Sequence, residues 1–138
     1  MRVTTRWAAL LALTALAAAG CASTEERHLN GTPSLPAAEG TVRFGKAKND
    51  NTSINLMVKH LANPEKLTPP AANYVVWIQP NKSAPAQNIG ALKVDKDLTG
   101  SLETETPMHS FDLFITAEGA GTVQSPAGKP LLSTSYSP

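Results

Sequence analysis

The chain has little cysteine, little net charge and no long hydrophobic run. Of its 138 residues only Cys21 is a cysteine, and 12 Lys+Arg stand against 11 Asp+Glu. One cysteine excludes an intramolecular disulfide and a cysteine-rich zinc site. A charge near zero excludes a basic nucleic-acid binder and a strongly acidic tail protein, so no nucleic-acid partner is expected. The longest apolar stretch, residues 7–19, falls short of the ~20 residues a membrane-spanning helix needs. No segment carries a convincing helical period, and the length allows one domain.

Motifs that would carry chemistry are also missing. There is no Gly-x-Ser-x-Gly elbow. Gly119-Ala120-Gly121 lacks the Gly-Lys-Ser ending and the following helix of a phosphate loop. Asn49-Asp50-Asn51 and Asp95-Lys96-Asp97 are oxygen-rich turns without the spacing or bidentate glutamate of an EF-hand. His28, His60 and His109 do not fall at the short spacings of a metal site. Asn30-Gly31-Thr32, Asn51-Thr52-Ser53 and Asn81-Lys82-Ser83 match the N-glycosylation pattern by chance. No catalytic residue, metal or cofactor is expected, and the chain does not read as an enzyme.

What is present at the start is an address. Met1-Arg2 and Arg6 form a short positive region, and residues 7–19 match a secretory apolar core. Ala18-Ala19-Gly20-Cys21 follows, and small residues before a cysteine resemble the bacterial lipobox. The resemblance implies a diacylglyceryl group on Cys21 and cleavage just before it, so residues 1–20 are a lipoprotein signal peptide. Ala18 departs from the commoner Leu at the first position. The alternative is an ordinary Ala-x-Ala cleavage site that leaves Cys21 free. A lipid on Cys21 would make the membrane a partner and tether the protein to the bacterial cell envelope. Ala22 in place of Asp favours the outer membrane, by resemblance to the sorting rule of Gram-negative lipoproteins. Without Arg2 and Arg6 the balance turns slightly acidic, so acyl chains rather than lysines provide the anchor.

Residues 21–40 are small, polar and Pro/Gly-containing, and they read as the lipidated cysteine and a flexible linker. The alternative is a docked N-terminal arm anchored by Leu29 and Leu35. From Thr41 the texture becomes that of an all-β domain covering residues 41–138. Val42 and Phe44 alternate with Arg43 and Gly45, and Ile54, Leu56 and Val58 alternate with Asn55, Met57 and Lys59. With Asn49-Asp50-Asn51 between them, these runs predict a hairpin. Asn73–Gln79 is aromatic and β-branched on both faces, as a central strand is. Further strands are expected at Ile89–Val94, Ser101–Thr106, Phe111–Glu118 and Leu131–Tyr136. Seven short strands separated by turns predict an antiparallel immunoglobulin-like β-sandwich.

The expected core is Phe44, Leu56, Val58, Val76, Trp77, Ile78, Leu92, Phe111, Leu113 and Ile115. One strand cannot point Val76, Trp77 and Ile78 the same way. One of its faces must therefore meet a loop cover or a partner.

Tyr74-Val75-Val76-Trp77-Ile78, Ile89-Gly90-Ala91-Leu92 and Phe111–Glu118 are followed by a loop with Ser125-Pro126-Ala127-Gly128. This order is similar to the extracytoplasmic C-terminal domain of anti-sigma-K-type factors. The resemblance covers residues 73–134. It implies a shared sandwich fold and an extracytoplasmic setting, with a sensory or regulatory role as one alternative. It brings no catalytic residues. The sigma-binding segment and transmembrane helix of that family have no counterpart here.

The surface offers few other candidates. Tyr74, Val75 and Phe114 are a candidate interaction surface for an envelope protein partner. The 62–72 and 119–130 loops are long enough to carry function. Glu103 and Glu105 share a strand face and read as a solvated pair. Glu118, which closes an apolar strand and opens a glycine loop, is expected to cap that loop by accepting backbone N–H bonds. A composite of His60, His109 and Asp112 is the one arrangement that would support an enzyme.

Overall fold

The computed structural model describes residues 23–138. Cys21 and the leader before it lie outside the described residues. Among the described residues nine strands form, rather than seven: β1 (Glu25–Asn30), β2 (Glu39–Lys46), β3 (Thr52–Lys59), β4 (Asn73–Gln79), β5 (Gln87–Ala91), β6 (Lys93–Val94), β7 (Gly100–Thr106), β8 (Phe111–Glu118) and β9 (Leu132–Tyr136). They make two antiparallel sheets, ordered β1-β2-β3-β7-β6 and β5-β4-β8-β9. No helix among the described residues is long and apolar enough to cross a membrane.

The period-two runs form the expected hairpin. β2 pairs with β3, Val42 opposite Leu56 and Phe44 opposite Ile54. Their alternate residues enter the space between the sheets, where they meet Tyr74, Val76 and Ile78 of β4 and Leu113 and Ile115 of β8. Phe44 lies edge-on to Phe111 (centroids 5.7 Å apart) and stacked on Tyr136 (4.3 Å). This packing of two apolar inner faces makes the molecule a β-sandwich.

Two expectations about the chain path are corrected. The stretch read as a flexible linker contains β1, which pairs along its whole length with β2. Leu29, Leu35 and Ala38 are buried in the main core, so this part of the chain follows the docked-arm alternative. β1 escaped notice because it is an edge strand. It has one inward apolar residue, Leu29, among Glu25, Glu26, Arg27 and His28, and such charges are what protect an exposed edge.

The single strand expected at Ile89–Val94 is two. β5 joins the second sheet and β6 the first, and the buried Leu92 sits at the crossing. Gly90 makes the change of course possible. It has φ 137°, and a Cβ there would come within 2.9 Å of the Leu102 side chain. Opposite it the β4–β5 register shifts between Val76 and Trp77.

The expected core residues are buried, but Trp77 is not in the inter-sheet core. It belongs to a second cluster with Val75 and Phe114.

Candidate functional site

The second cluster lies on the outer face of the β5-β4-β8-β9 sheet. Cross-strand register defines that face. Gln79, Asp112 and Ser135 form one row, and Asn88, Trp77, Phe114 and Ser133 the next. Val75 lies opposite Thr116, and Asn73 opposite Glu118. Trp77 and Phe114 stack with centroids 6.5 Å apart and rings 17° from parallel. A sheet face this apolar must be covered. The 119–130 segment covers it with Val123, and Ala86, just before β5, packs on the same cluster.

Side chains fasten this strap. Asn88 Nδ2 donates to the carbonyls of Gly121 (3.0 Å) and Val123 (2.9 Å), and its Oδ1 accepts from the Gly90 amide (2.9 Å). Farther along, the buried Glu118 carboxylate accepts from the amides of Ala127 (3.1 Å) and Gly128 (3.2 Å). The Thr116 hydroxyl donates to Glu118 Oε1 (2.6 Å) while accepting from Trp77 Nε1 (2.8 Å). Among the described residues, no backbone–backbone hydrogen bond ties 120–130 to either sheet. Gly128 approaches so closely that a Cβ there would lie 2.7 Å from the Ala117 carbonyl oxygen. Glu118 thus has the loop-capping role its sequence position suggests. Glu118 is the acceptor in each of its bonds, and all of them hold structure together.

The strap leaves part of the face open. Beyond its end lies a groove of about 410 Å3 lined by Gln79, Lys82, Asp112, Phe114, Pro130, Ser133 and Ser135. Asp112 Oδ1 accepts from the Ser135 hydroxyl at 2.7 Å. The groove combines an aromatic edge, a lysine, a carboxylate, an amide and hydroxyls. It can form hydrogen bonds to a polar ligand, but it holds no paired acid and base.

The other outer face, on the five-stranded sheet, is polar and wet. Glu26, Arg43, Asn55 and Glu103 make a row across β1, β2, β3 and β7. Arg43 Nε donates to Glu26 (2.7 Å), and Asn55 Nδ2 to Glu103 (3.0 Å). The Arg43 guanidinium holds the Glu26 carboxyl below the usual range. A shallow groove of about 520 Å3 runs over this face past His28, Thr41, Met57 and Lys59.

The residues expected to form an interaction surface do not form one together. Tyr74 points into the inter-sheet core, where its hydroxyl donates to the Ala62 carbonyl (2.7 Å). Burial raises its pKa above that of an ordinary tyrosine, against a smaller lowering by this bond. Val75 is fully buried, in the cluster that the strap covers. Phe114 is 8% exposed and lines the open groove. Val75 and Phe114 lie on the face away from the main core, and the strap gives that face its cover, whereas Tyr74 points to the opposite side of the same sheet.

The histidines and Asp112 are likewise separate. His109 Nε2 lies 3.7 Å from Asp50, while Asp112 serves Ser135 and the groove. The Asp50 carboxyl is held low by the Lys46 ammonium (2.9 Å) and secondarily by His109. Among the described residues no three His, Cys, Asp or Glu side chains gather as a metal site would require. The groove residues Gln79, Lys82, Ser133 and Ser135 were not singled out by sequence. The available signal was the alternation of Ser133, Thr134 and Ser135 beside the apolar Phe111–Glu118 strand. Protein-family models, curated proteins and solved structures show no match to this chain.

Proposed function

We propose that this chain is a lipid-anchored lipoprotein of the bacterial envelope whose β-sandwich acts as a non-catalytic binding or structural module. The single observation that carries this reading is Cys21 itself. The only cysteine falls directly after Ala18-Ala19-Gly20 at the end of a basic-then-apolar leader. The sandwich fold fits an exported module. The strand order supports an immunoglobulin-like arrangement: β2-β3-β7-β6 faces β5-β4-β8-β9, as the A-B-E-D sheet faces the C′-C-F-G sheet, with β1 added beside the first strand. The groove beside Phe114 is the binding surface in this reading, because it is the open part of a face otherwise sealed.

The test is to replace Cys21 with Ser in the full-length chain and fractionate cells. Expected is a loss of most of the membrane-associated protein, at least tenfold. Unchanged membrane association would overturn the anchor. A photocrosslinking side chain placed at Lys82 would then report what the groove touches in intact envelopes.

A further inference from the structure

The main-chain bonds of the four-stranded sheet fix which way each residue's N–H and carbonyl point. The Leu92 amide donates to the Tyr74 carbonyl at 2.8 Å, so Tyr74 bonds toward β5. Direction alternates along an antiparallel strand, so Val75 and Trp77 bond toward β8, opposite Thr116 and Phe114. Leu113 and Ile115 then bond toward β9, and the Ile115 carbonyl does accept from the Leu131 amide at 2.8 Å. In β9 the residues that bond back to β8 are therefore Leu132, Thr134 and Tyr136. Ser133 and Ser135 turn their N–H and carbonyl groups outward. The edge is closed at its start, where the Leu131 carbonyl accepts from the Thr32 amide at 3.0 Å. Beyond that point, among the described residues, no other backbone group bonds to the main chain of Ser133 or Ser135. β1 lies beside β9 in the other sheet but forms no ladder with it.

The other strand edges are protected. β1 carries Glu25, Glu26, Arg27 and His28. The β4–β5 ladder shifts register beside Gly90, and β6 is two residues long. β9 reads Leu132-Ser133-Thr134-Ser135-Tyr136, with no charge, no proline and no register shift against β8. An edge of that kind is a template for one more strand.

The outer side of β9 borders the groove beside Phe114. Ser133 and Ser135 are short and exposed there. A strand laid about 4.8 Å beyond β9 would send alternate side chains over these serines. The side chain opposite Ser133 leans toward Phe114 and Pro130, and the one opposite Ser135 toward Asp112 and Lys82. The lysine and the carboxylate balance, so the groove favours an uncharged occupant. On the inner side Glu25 and Arg27 of β1 are bridged to each other.

We propose that the outward edge of β9 accepts an extended, uncharged segment of a partner protein, with an apolar side chain of that segment seated against Phe114. This rests on the reading of the groove as the binding surface and names the class of partner. Main-chain bonds to Ser133 and Ser135 supply affinity, and the groove selects among alternate side chains. A second copy of this chain fits the edge less well. Antiparallel pairing of β9 with itself sets Ser133 opposite Ser135, and serine is too short to reach Phe114.

The probe is the capped peptide acetyl-Thr-Gln-Thr-Phe-Thr-Thr-amide, which in antiparallel register sets Gln opposite Ser135 and Phe opposite Ser133. It is titrated to millimolar concentration into the full-length, processed protein while backbone amide resonances are followed by NMR. Saturable shifts are expected at Ser133 and Ser135, with none at Arg43 or Asn55 on the far sheet. Methylating the Phe amide nitrogen of the peptide, which removes the donor to the Ser133 carbonyl, should weaken binding at least tenfold. Replacing that Phe by Asp should do the same. Ser135→Pro removes an outward N–H and leaves the β8 ladder intact, so it should weaken the parent peptide at least tenfold. Should this variant fail to fold, the methylated peptide still decides.

Absence of saturable shifts, or equal binding of the methylated peptide, overturns the proposal. The groove reading survives that result if a crosslinker at Lys82 still captures a molecule in intact envelopes, and falls with it if nothing is captured. A dimer in sedimentation that Ser135→Pro splits would assign the edge to a second copy and overturn the proposal as well.

Discussion

The two sheets of this sandwich treat their outer faces in opposite ways. The five-stranded sheet leaves its outer face to water, with a ladder of Glu26, Arg43, Asn55 and Glu103. The four-stranded sheet buries most of its own under a strap. The burial of single strands shows the cause. In β3 buried and accessible residues alternate from Thr52 to Lys59, whereas in β4 every residue from Tyr74 to Ile78 is buried. A strand apolar on one face needs one covering layer, and a strand apolar on both needs two. The 119–130 segment is the second layer for β4 and β8. A loop with four glycines and prolines after Gly119 thus does the work that a third sheet or a helix does elsewhere.

The comparison can be broken most sharply at its centre. Trp77→Ala removes the largest side chain under the strap, and it should lower unfolding free energy by about 3–5 kcal/mol. Denaturant titration would measure the loss; a value below 1 kcal/mol would mean that the strap collapses onto the gap or never sealed it. Glu118→Ala should come next, at about 2–4 kcal/mol, because the Ala127 and Gly128 amides and the Thr116 hydroxyl lose their acceptor together. Amide hydrogen exchange would localise this effect. Faster exchange at Ala127 and Gly128, with the β2–β3 ladder unchanged, is the expected pattern. Equal acceleration in both sheets would show that Glu118 supports the whole fold rather than the strap. The smallest effect belongs to the open face. Met57, 46% exposed, should tolerate Met57→Ser within about 0.5 kcal/mol. A larger loss by the same titration would show that this face is not free in solution.

Much of the fold is written locally in the sequence. Asn73–Gln79 and Phe111–Glu118 end where their apolar runs end, and the Val42/Phe44 and Ile54/Leu56/Val58 alternation carries both the hairpin and its register. Glu118 was readable as a loop cap because a carboxylate at the junction of an apolar strand and a glycine loop has few other tasks. The rest depends on partners distant along the chain. β1 has one inward residue, and its strand state comes from pairing with β2 rather than from its own pattern. The division at Leu92 turns on Gly90 and on Leu102, twelve residues away. For the outer face of β4, the sequence showed that a cover was needed and left open whether a loop or a partner supplied it. The groove is what remains after the strap has been laid down, so no local pattern could outline it.

β1 also decides how the domain answers to mechanical load. Without β1, a chain running straight into β2 would start at the opposite end from the finish of β9. Load across the domain would then pull those outer strands lengthwise, against all their cross-strand hydrogen bonds at once. By doubling back along β2, β1 brings its own start beside the finish of β9. Tension applied between those two points peels β1 from Glu25 onward, one hydrogen bond after another, because antiparallel bonds stand perpendicular to the strands. The domain is therefore built to yield gradually when pulled, and it is poorly suited to serve as a taut link between two structures.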